Sequence, residues 1–212
     1  MLKFWKRIFV FMILICLITP NIGDVLAKGN KTRYSTTLKS SSGKQYKIKL
    51  AGINDKSGIA SWNSDKPYEM VWAGANEGDR IYHGNFQFYV NNIKSSQKLR
   101  NYTYNKTQQM VYKISSKYKG QPDLLLISSA ETSSYRSTSV YYMYNGKLKK
   151  AKNGLGNTLR PKNIGKYKFK VAIYNNAYNP PGYIINYYQL NVKKGTFKKY
   201  KSIFREGGYL KW

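Results

Sequence analysis

A recurring order of parts constrains this chain more than any single residue does. Asp65-Lys66-Pro67-Tyr68-Glu69-Met70-Val71-Trp72, Gly120-Gln121-Pro122-Asp123-Leu124-Leu125-Leu126-Ile127 and Gly165-Lys166-Tyr167-Lys168-Phe169-Lys170-Val171-Ala172 share one form. Each sets a turn residue, then Lys or Gln, then Pro or Tyr, before a strand-like run. Each is followed by an aromatic-rich run ending in Asn, at Phe86–Asn91, Val140–Asn145 and Asn186–Asn191. The offsets from turn residue to Asn are 26, 25 and 26. Self-similarity with a shared internal offset marks a supersecondary unit that buries its apolar face only against its neighbours. A third run follows each Asn, at Leu99–Tyr104, Leu148–Lys152 and Phe197–Lys201, and a partial fourth copy stands upstream at Gly43–Leu50.

The unit reads as strand, loop, strand, turn, strand. Its clearest piece is Tyr144-Asn145-Gly146-Lys147. Asn-Gly between two strand-like runs signals a type I′ hairpin, because both residues tolerate positive φ. The corresponding connections Asn92–Lys98 and Val192–Thr196 read as longer loops, and Gln109–Ile114 as a strand. Tyr, Val, Ile and Thr dominate, Gly and Asn punctuate, and no long helical period appears, so the chain is expected to be all-β. One repeat domain is expected over 28–212, with units near 43–64 (partial), 65–119, 120–164 and 165–212.

The stretch Ser115-Ser116-Lys117-Tyr118-Lys119-Gly120-Gln121-Pro122-Asp123-Leu124-Leu125-Leu126 resembles the FG-GAP or VCBS type of β-propeller repeat. In that family a Ca²⁺ loop runs into Gly-x-Pro-Asp and then an apolar strand. The match rests on Gly120, Pro122, Asp123 and the strand after them, and it is partial in the other units. The resemblance implies a propeller-like repeat of three to four small antiparallel sheets, with a β-sandwich as the alternative. Where the family carries acidic ligands this chain has Ser115, Lys117 and Lys119. Ca²⁺ requires a cluster of oxygen ligands with negative charge, so no Ca²⁺ is expected at this loop.

Residues 1–27 read as a secretory signal peptide that forms a helix ahead of the sheets. Lys3, Lys6 and Arg7 make a basic n-region, and Ile8–Ile18 is an apolar run too short to span a membrane. Pro20 and Gly23 end it, and Val25-Leu26-Ala27 supplies a cleavage site. The rival reading is an uncleaved anchor. Cleavage leaves no transmembrane span and places the mature chain outside the cytoplasm.

Charge then sets the class of partner. The 212 residues hold 37 Lys+Arg against 9 Asp+Glu, a formal net charge of +28. Between Glu131 and Glu206 there are 74 residues without a single carboxylate and with 16 basic side chains. Fold formation does not call for such a self-repelling field, which destabilises a compact state. It suits a polyanionic neighbour: an anionic cell-wall polymer or an acidic membrane surface, nucleic acid not being expected for an exported chain. The candidate polyanion-binding residues are Lys147, Lys149, Lys150, Lys152, Lys166, Lys168, Lys170, Lys193, Lys194, Lys198, Lys199 and Lys201. Lys on an outer strand also shields a sheet edge from pairing with another chain, which is the plainer account of any one pair. Tyr135, Tyr178 and Tyr183 are read as loop aromatics for an alternative, a propeller-like module that recognises a glycan or a protein.

Enzyme chemistry finds little support. Cys16 lies in the leader and His83 is the one imidazole, which leaves no multi-His or Cys metal site and little for a Ser–His triad. Glu77 and Asp79, with His83 downstream, are the carboxylates and base that a minor hydrolase alternative would use. Otherwise the chain is expected to be non-enzymatic, with no catalytic residue, metal or cofactor.

Overall fold

The computed structural model describes residues 30–212. The expected signal peptide lies outside them. Twelve strands form three four-stranded antiparallel meanders. The first sheet holds β1 (Thr32–Lys39), β2 (Gln45–Ile59), β3 (Arg80–Val90) and β4 (Ile93–Asn105). The second holds β5 (Val111–Ile114), β6 (Leu124–Ala130), β7 (Arg136–Tyr144) and β8 (Lys147–Lys150). The third holds β9 (Leu159–Gly165), β10 (Lys168–Asn175), β11 (Gly182–Asn191) and β12 (Thr196–Glu206). The described residues are all-β, with three repeated sheets. Among the described residues no strand pair closes the third sheet onto the first.

Sidedness follows from the residue pattern. Leu124-Leu125-Leu126-Ile127 is apolar at every position because the second sheet is covered on both faces. Leu125, Ile127, Tyr141 and Met143 join Leu38, Ile48, Leu50, Phe86 and Phe88 of the first sheet in one core. Leu124, Leu126, Val140 and Tyr142 join Phe169, Val171, Leu190 and Phe197 of the third sheet in another. The outer sheets alternate instead. In β10, Phe169 and Val171 are fully buried while Lys168 and Lys170 face outward. Each large apolar side chain buried in these layers contributes about 1.5–3 kcal/mol.

The stretch Gly120–Asp123 ties the three sheets together. The Asp123 carboxylate accepts the Lys39 amide at the end of β1 (3.0 Å) and the Ser116 amide (2.8 Å). The Gln121 side chain accepts the Tyr167 amide in the β9–β10 turn and donates to Asn163 (3.1 Å). The first strands of the sheets lie on one side of the stack: Lys113 of β5 donates to the Thr37 carbonyl of β1 (3.2 Å), and Arg160 of β9 donates to the Gln108 and Gln109 carbonyls just before β5. Near the last strands, Lys149 of β8 donates to the Lys193 carbonyl ahead of β12 (2.8 Å).

Two local expectations are corrected. Asp65–Trp72 is a run of turns and isolated bridges, not a strand. There the Glu69 carboxylate accepts from Ser64 and Lys66 and favours a compact local turn over a ladder. The strand lies upstream instead, where β2 contains the Gly43–Leu50 copy from Gln45 onward. Nor is Asn92–Lys98 a loop. Asn91 and Asn92, with φ of 49° and 69°, make a two-residue I′ turn, and β4 begins at Ile93. The Asn145-Gly146 turn has the same form, with φ of 48° and 73°.

Candidate polyanion-binding surface

Of the eight carboxylates among the described residues, Glu69, Asp79 and Asp123 are buried and Asp55 is half-buried, while Asp65, Glu77, Glu131 and Glu206 are exposed. Asp55 meets Arg33 at 2.7 Å, and the guanidinium also lies 4.2 Å from the centre of the Tyr82 ring. Glu69 pairs with Lys66 at 3.2 Å. Glu77 accepts the Trp62 amide and Glu131 the Ser137 hydroxyl. Arg33–Asp55 and Lys66–Glu69 are the two ion pairs among the described residues. None of the twelve candidate lysines has a carboxylate partner within them.

The structure sorts those lysines into three settings. Lys147, Lys149 and Lys150 lie on β8, the edge strand of the second sheet, with Lys152 just past it. Leu148 is buried toward the first sheet, so alternation sends Lys147 and Lys149 to the other side. Lys149 reaches the Lys193 carbonyl, while Lys150 lies 5.9 Å from the Tyr141 ring. Lys193 and Lys194 belong to the β11–β12 turn, and Lys166 to the β9–β10 turn, over Tyr167 at 5.7 Å. The remaining lysines lie on the third sheet, and only here do they form a surface.

Register builds that surface. Lys162 of β9 stands opposite Lys170 of β10, Lys170 opposite Tyr187 of β11, and Tyr187 opposite Lys201 of β12. The next row sets Lys168 opposite Gln189 and Gln189 opposite Lys198. Residues directly opposite share a face, and strands lie about 4.8 Å apart, so the first row spans roughly 14 Å. Lys199 pairs with Tyr188, which packs toward the second sheet, and is turned away from this face.

Aromatic rings interleave with the cations. The Lys170 ammonium lies 4.3 Å from the centre of the Trp212 ring and Lys162 lies 5.9 Å from it. Lys201 lies 5.6 Å from Tyr187, Lys168 lies 6.0 Å from Tyr200, and the two tyrosine rings approach to 6.2 Å. Trp212 is fixed by packing beside Ala172, Tyr183 and Ile185 and by its indole N–H, which donates to the Arg160 carbonyl (2.7 Å). Sequence reasoning did not find Lys162, Tyr187, Tyr200 or Trp212. The alternation in Lys166–Lys170 signals an outward lysine face, but the partners across it follow from register alone.

The aromatic and acid–base candidates fare differently. Tyr183 is not a loop residue. It sits buried in β11 against Tyr174, with ring centres 5.1 Å apart. Tyr178 is exposed beside Phe204, and Tyr135 crowds Gly156. Glu77, Asp79 and His83 bond to separate partners. His83 Nδ1 meets the Thr103 hydroxyl (2.8 Å) and its ring stacks on Tyr68. Asp79 is buried, which disfavours its charge. Donors from the Asn76 amide, Gln108 and Asn105 outweigh that burial and hold the carboxyl below the usual aspartate range.

Several clefts open between the sheets. One of about 430 Å³ lies between the two I′ turns and is lined by Tyr46, Ile93, Lys94, Ser96, Lys147 and Leu148 among others. On the side of the first strands, one of about 460 Å³ lies between β5 and β9. Comparison of the chain with protein-family models, with curated proteins and with solved structures finds no significant match.

Proposed function

We propose that this is an exported, non-enzymatic protein that associates with the anionic cell envelope, either an acidic wall polymer or an acidic membrane surface, through a basic surface centred on the outer face of the third sheet. One observation carries the reading. Lys162, Lys168, Lys170, Lys198 and Lys201 share one face, interleaved with aromatic rings, in a stretch that holds no carboxylate from residue 132 to 205. Edge protection accounts for lysines on β8 and β12, but not for Lys168 and Lys170 on the interior strand β10. The architecture is read as propeller-like. Like strands of successive meanders lie on the same side of a face-to-face stack, as in adjacent propeller blades.

Salt tests the reading. Between about 0.01 M and about 1 M the screening length falls from about 30 Å to about 3 Å. Protein bound to purified cell walls should be released over that range. The quadruple variant K168Q/K170Q/K198Q/K201Q should bind walls markedly less at low salt. Wall association unchanged up to molar salt overturns the proposal.

A second reading, recognition of one glycan or protein partner, draws support from the cleft between the I′ turns, where Tyr46 and Leu148 offer apolar contact beside Lys94 and Ser96. It requires saturable binding that survives molar salt.

A further inference from the structure

We propose that the outer face of the first sheet is a second polyanion-binding surface, so that one molecule bridges two anionic polymer chains, one on each open side of the stack. The inference deepens the reading above and rests on it for the class of ligand, while the second surface rests on residues of its own. The core fixes which way those residues point. Tyr46, Ile48 and Leu50 of β2, and Phe86 and Phe88 of β3, pack against the second sheet. Alternation therefore turns Lys47 and Lys49 of β2 away from it. Both lie on an interior strand, as Lys168 and Lys170 do on β10, so edge protection does not account for them. Register sets hydroxyls beside them, with Thr37 of β1 opposite Lys47 and Ser35 opposite Lys49. Thr37, Ser35 and Lys47 are exposed and Lys49 is half-buried. Lys98 of β4 joins the same face. It is exposed and stands opposite Gln87, the residue between Phe86 and Phe88.

These charges are not cancelled locally. Asp55 is the single carboxylate on the four strands of the first sheet, and it is bound to Arg33. Lys47, Lys49 and Lys98 have no carboxylate partner among the described residues. The end of a repeat array needs a polar outer face, but not charge of one sign. The sequence reaches the same result at both ends by opposite phases. Lys47 and Lys49 fall four and six positions after Gly43, whereas Lys168 and Lys170 fall three and five after Gly165. A shift of one residue reverses the face a strand shows. The first sheet thus sends its lysines to one open side of the stack and the third sheet to the other.

The two surfaces act separately. Packed sheets lie about 10 Å apart, so the backbones of the two end sheets are about 20 Å apart. The screening length at physiological salt is about 8 Å, and an anion held on one face leaves the other unneutralised. A planar bilayer reaches only one of the two faces. The first-sheet face also lacks what an interface would bury, since Tyr89, the aromatic opposite Lys49, is itself buried. Its ammonium and hydroxyl donors suit phosphate groups strung along a flexible chain, with which the lysines interact as point charges.

The probe is long-chain inorganic polyphosphate, immobilised on beads that are loaded with protein at about 0.15 M salt, washed, and offered a fluorescent polyphosphate in solution. Capture of the labelled chain is scored per molecule of bound protein. The parent should capture it. K47Q/K49Q/K98Q should still load the beads through the third sheet and lose capture by about tenfold or more. K168Q/K170Q/K198Q/K201Q should lose capture likewise. K106Q/K117Q/K119Q removes three exposed lysines that lie in turns outside both faces, and should capture within about twofold of the parent. Capture that survives K47Q/K49Q/K98Q, or that falls equally in K106Q/K117Q/K119Q, overturns the bridge, while binding to the beads leaves the envelope reading standing. A parent that does not load the beads overturns that reading and the bridge with it. Phosphatidylglycerol vesicles are offered in place of the labelled chain as a second arm. If they are captured as well as polyphosphate is, and the first-sheet variant loses them, the face serves a membrane and the polymer assignment is overturned.

Discussion

Lys162 and Lys170 stand directly opposite each other across the β9–β10 ladder, and the indole of Trp212 lies against both, at 5.9 and 4.3 Å from the two ammonium groups. Like charges directly opposite on a sheet destabilise it. The electron-rich face of the indole offsets part of that repulsion. A chain of anions laid across the face would offset the rest, so the arrangement that strains the free protein is the one that favours its proposed partner.

Trp212→Ala tests the first half of that relationship. The ring is half-buried, packed by Ala172, Tyr183 and Ile185. Its loss should cost about 1–2 kcal/mol of stability from lost burial and cation–π attraction. The variant should also gain more from added salt than the parent does, because Lys162 and Lys170 then repel without an intervening ring. Thermal melts at low and high salt read both effects. Equal melting temperatures for variant and parent at low salt would refute the account.

How much of this was legible in the sequence depends on which physical signal each feature sends. Leu124–Ile127 announces a strand because it is buried on both faces, and Asn145-Gly146 announces its turn because glycine relieves the positive φ. Asp65–Trp72 carries the same lead-in, yet side-chain bonds to Glu69 close it into a turn, and such competition leaves no periodic trace. The lysine face was half legible. Alternation marks Lys166, Lys168 and Lys170, but the bulges between Lys168 and Phe169 and between Lys170 and Ala172 set the pairing with β9. A shift of one residue there would turn Lys162 to the other face. Trp212 reaches the same face from 42 residues beyond Lys170, a distance that no local pattern encodes. Tyr183 follows Pro180-Pro181-Gly182 and so reads as loop, although β11 already begins at Gly182.

The two I′ turns offer a matched exchange. Asn92 and Gly146 occupy the second position of equivalent turns with φ of 69° and 73°. A Cβ at Gly146 would meet only the Tyr46 hydroxyl at 3.9 Å, so space is not limiting and the backbone alone decides. Asn92→Gly should stabilise and Gly146→Asn destabilise, each by about 0.5 kcal/mol. Urea denaturation measures the pair. If both changes act with the same sign, backbone strain is not the controlling factor.

Alkali should unfold the protein through its buried tyrosines. Burial pushes the Tyr104, Tyr141 and Tyr142 phenols up to about 12, with Tyr34 and Tyr82 adding to the effect on Tyr104 and Tyr144 to that on Tyr142. In the unfolded chain a phenol ionises near pH 10. The folded state therefore holds these protons longer. The stability this gives is complete below about pH 10 and is lost as pH rises from about 10 to about 12. Absorbance of tyrosinate, followed beside circular dichroism, should show late-titrating phenols that ionise together with loss of the sheet signal. Tyr141→Phe should shift that transition to higher pH. Complete titration near pH 10 with the sheet signal intact would contradict the burial.

Asp123 and Gln121 predict separable losses. Asp123 is buried and its carboxylate caps two amides from different elements, Lys39 on β1 and Ser116 after β5. Asp123→Ala leaves both donors without a partner and should cost about 3 kcal/mol. Asp123→Asn keeps one oxygen acceptor and should fall between the variant and the parent. Gln121→Ala frees the Tyr167 amide and the Asn163 side-chain oxygen instead, both belonging to the third sheet and its β9–β10 turn. Hydrogen exchange distinguishes the two. Asp123→Ala should speed exchange at Lys39 and Ser116, and Gln121→Ala at Tyr167, because each substitution loosens a different sheet from the middle one. Uniform acceleration through all three sheets in both variants would mean that the Gly120–Asp123 stretch acts only on global stability and does not join the sheets pair by pair.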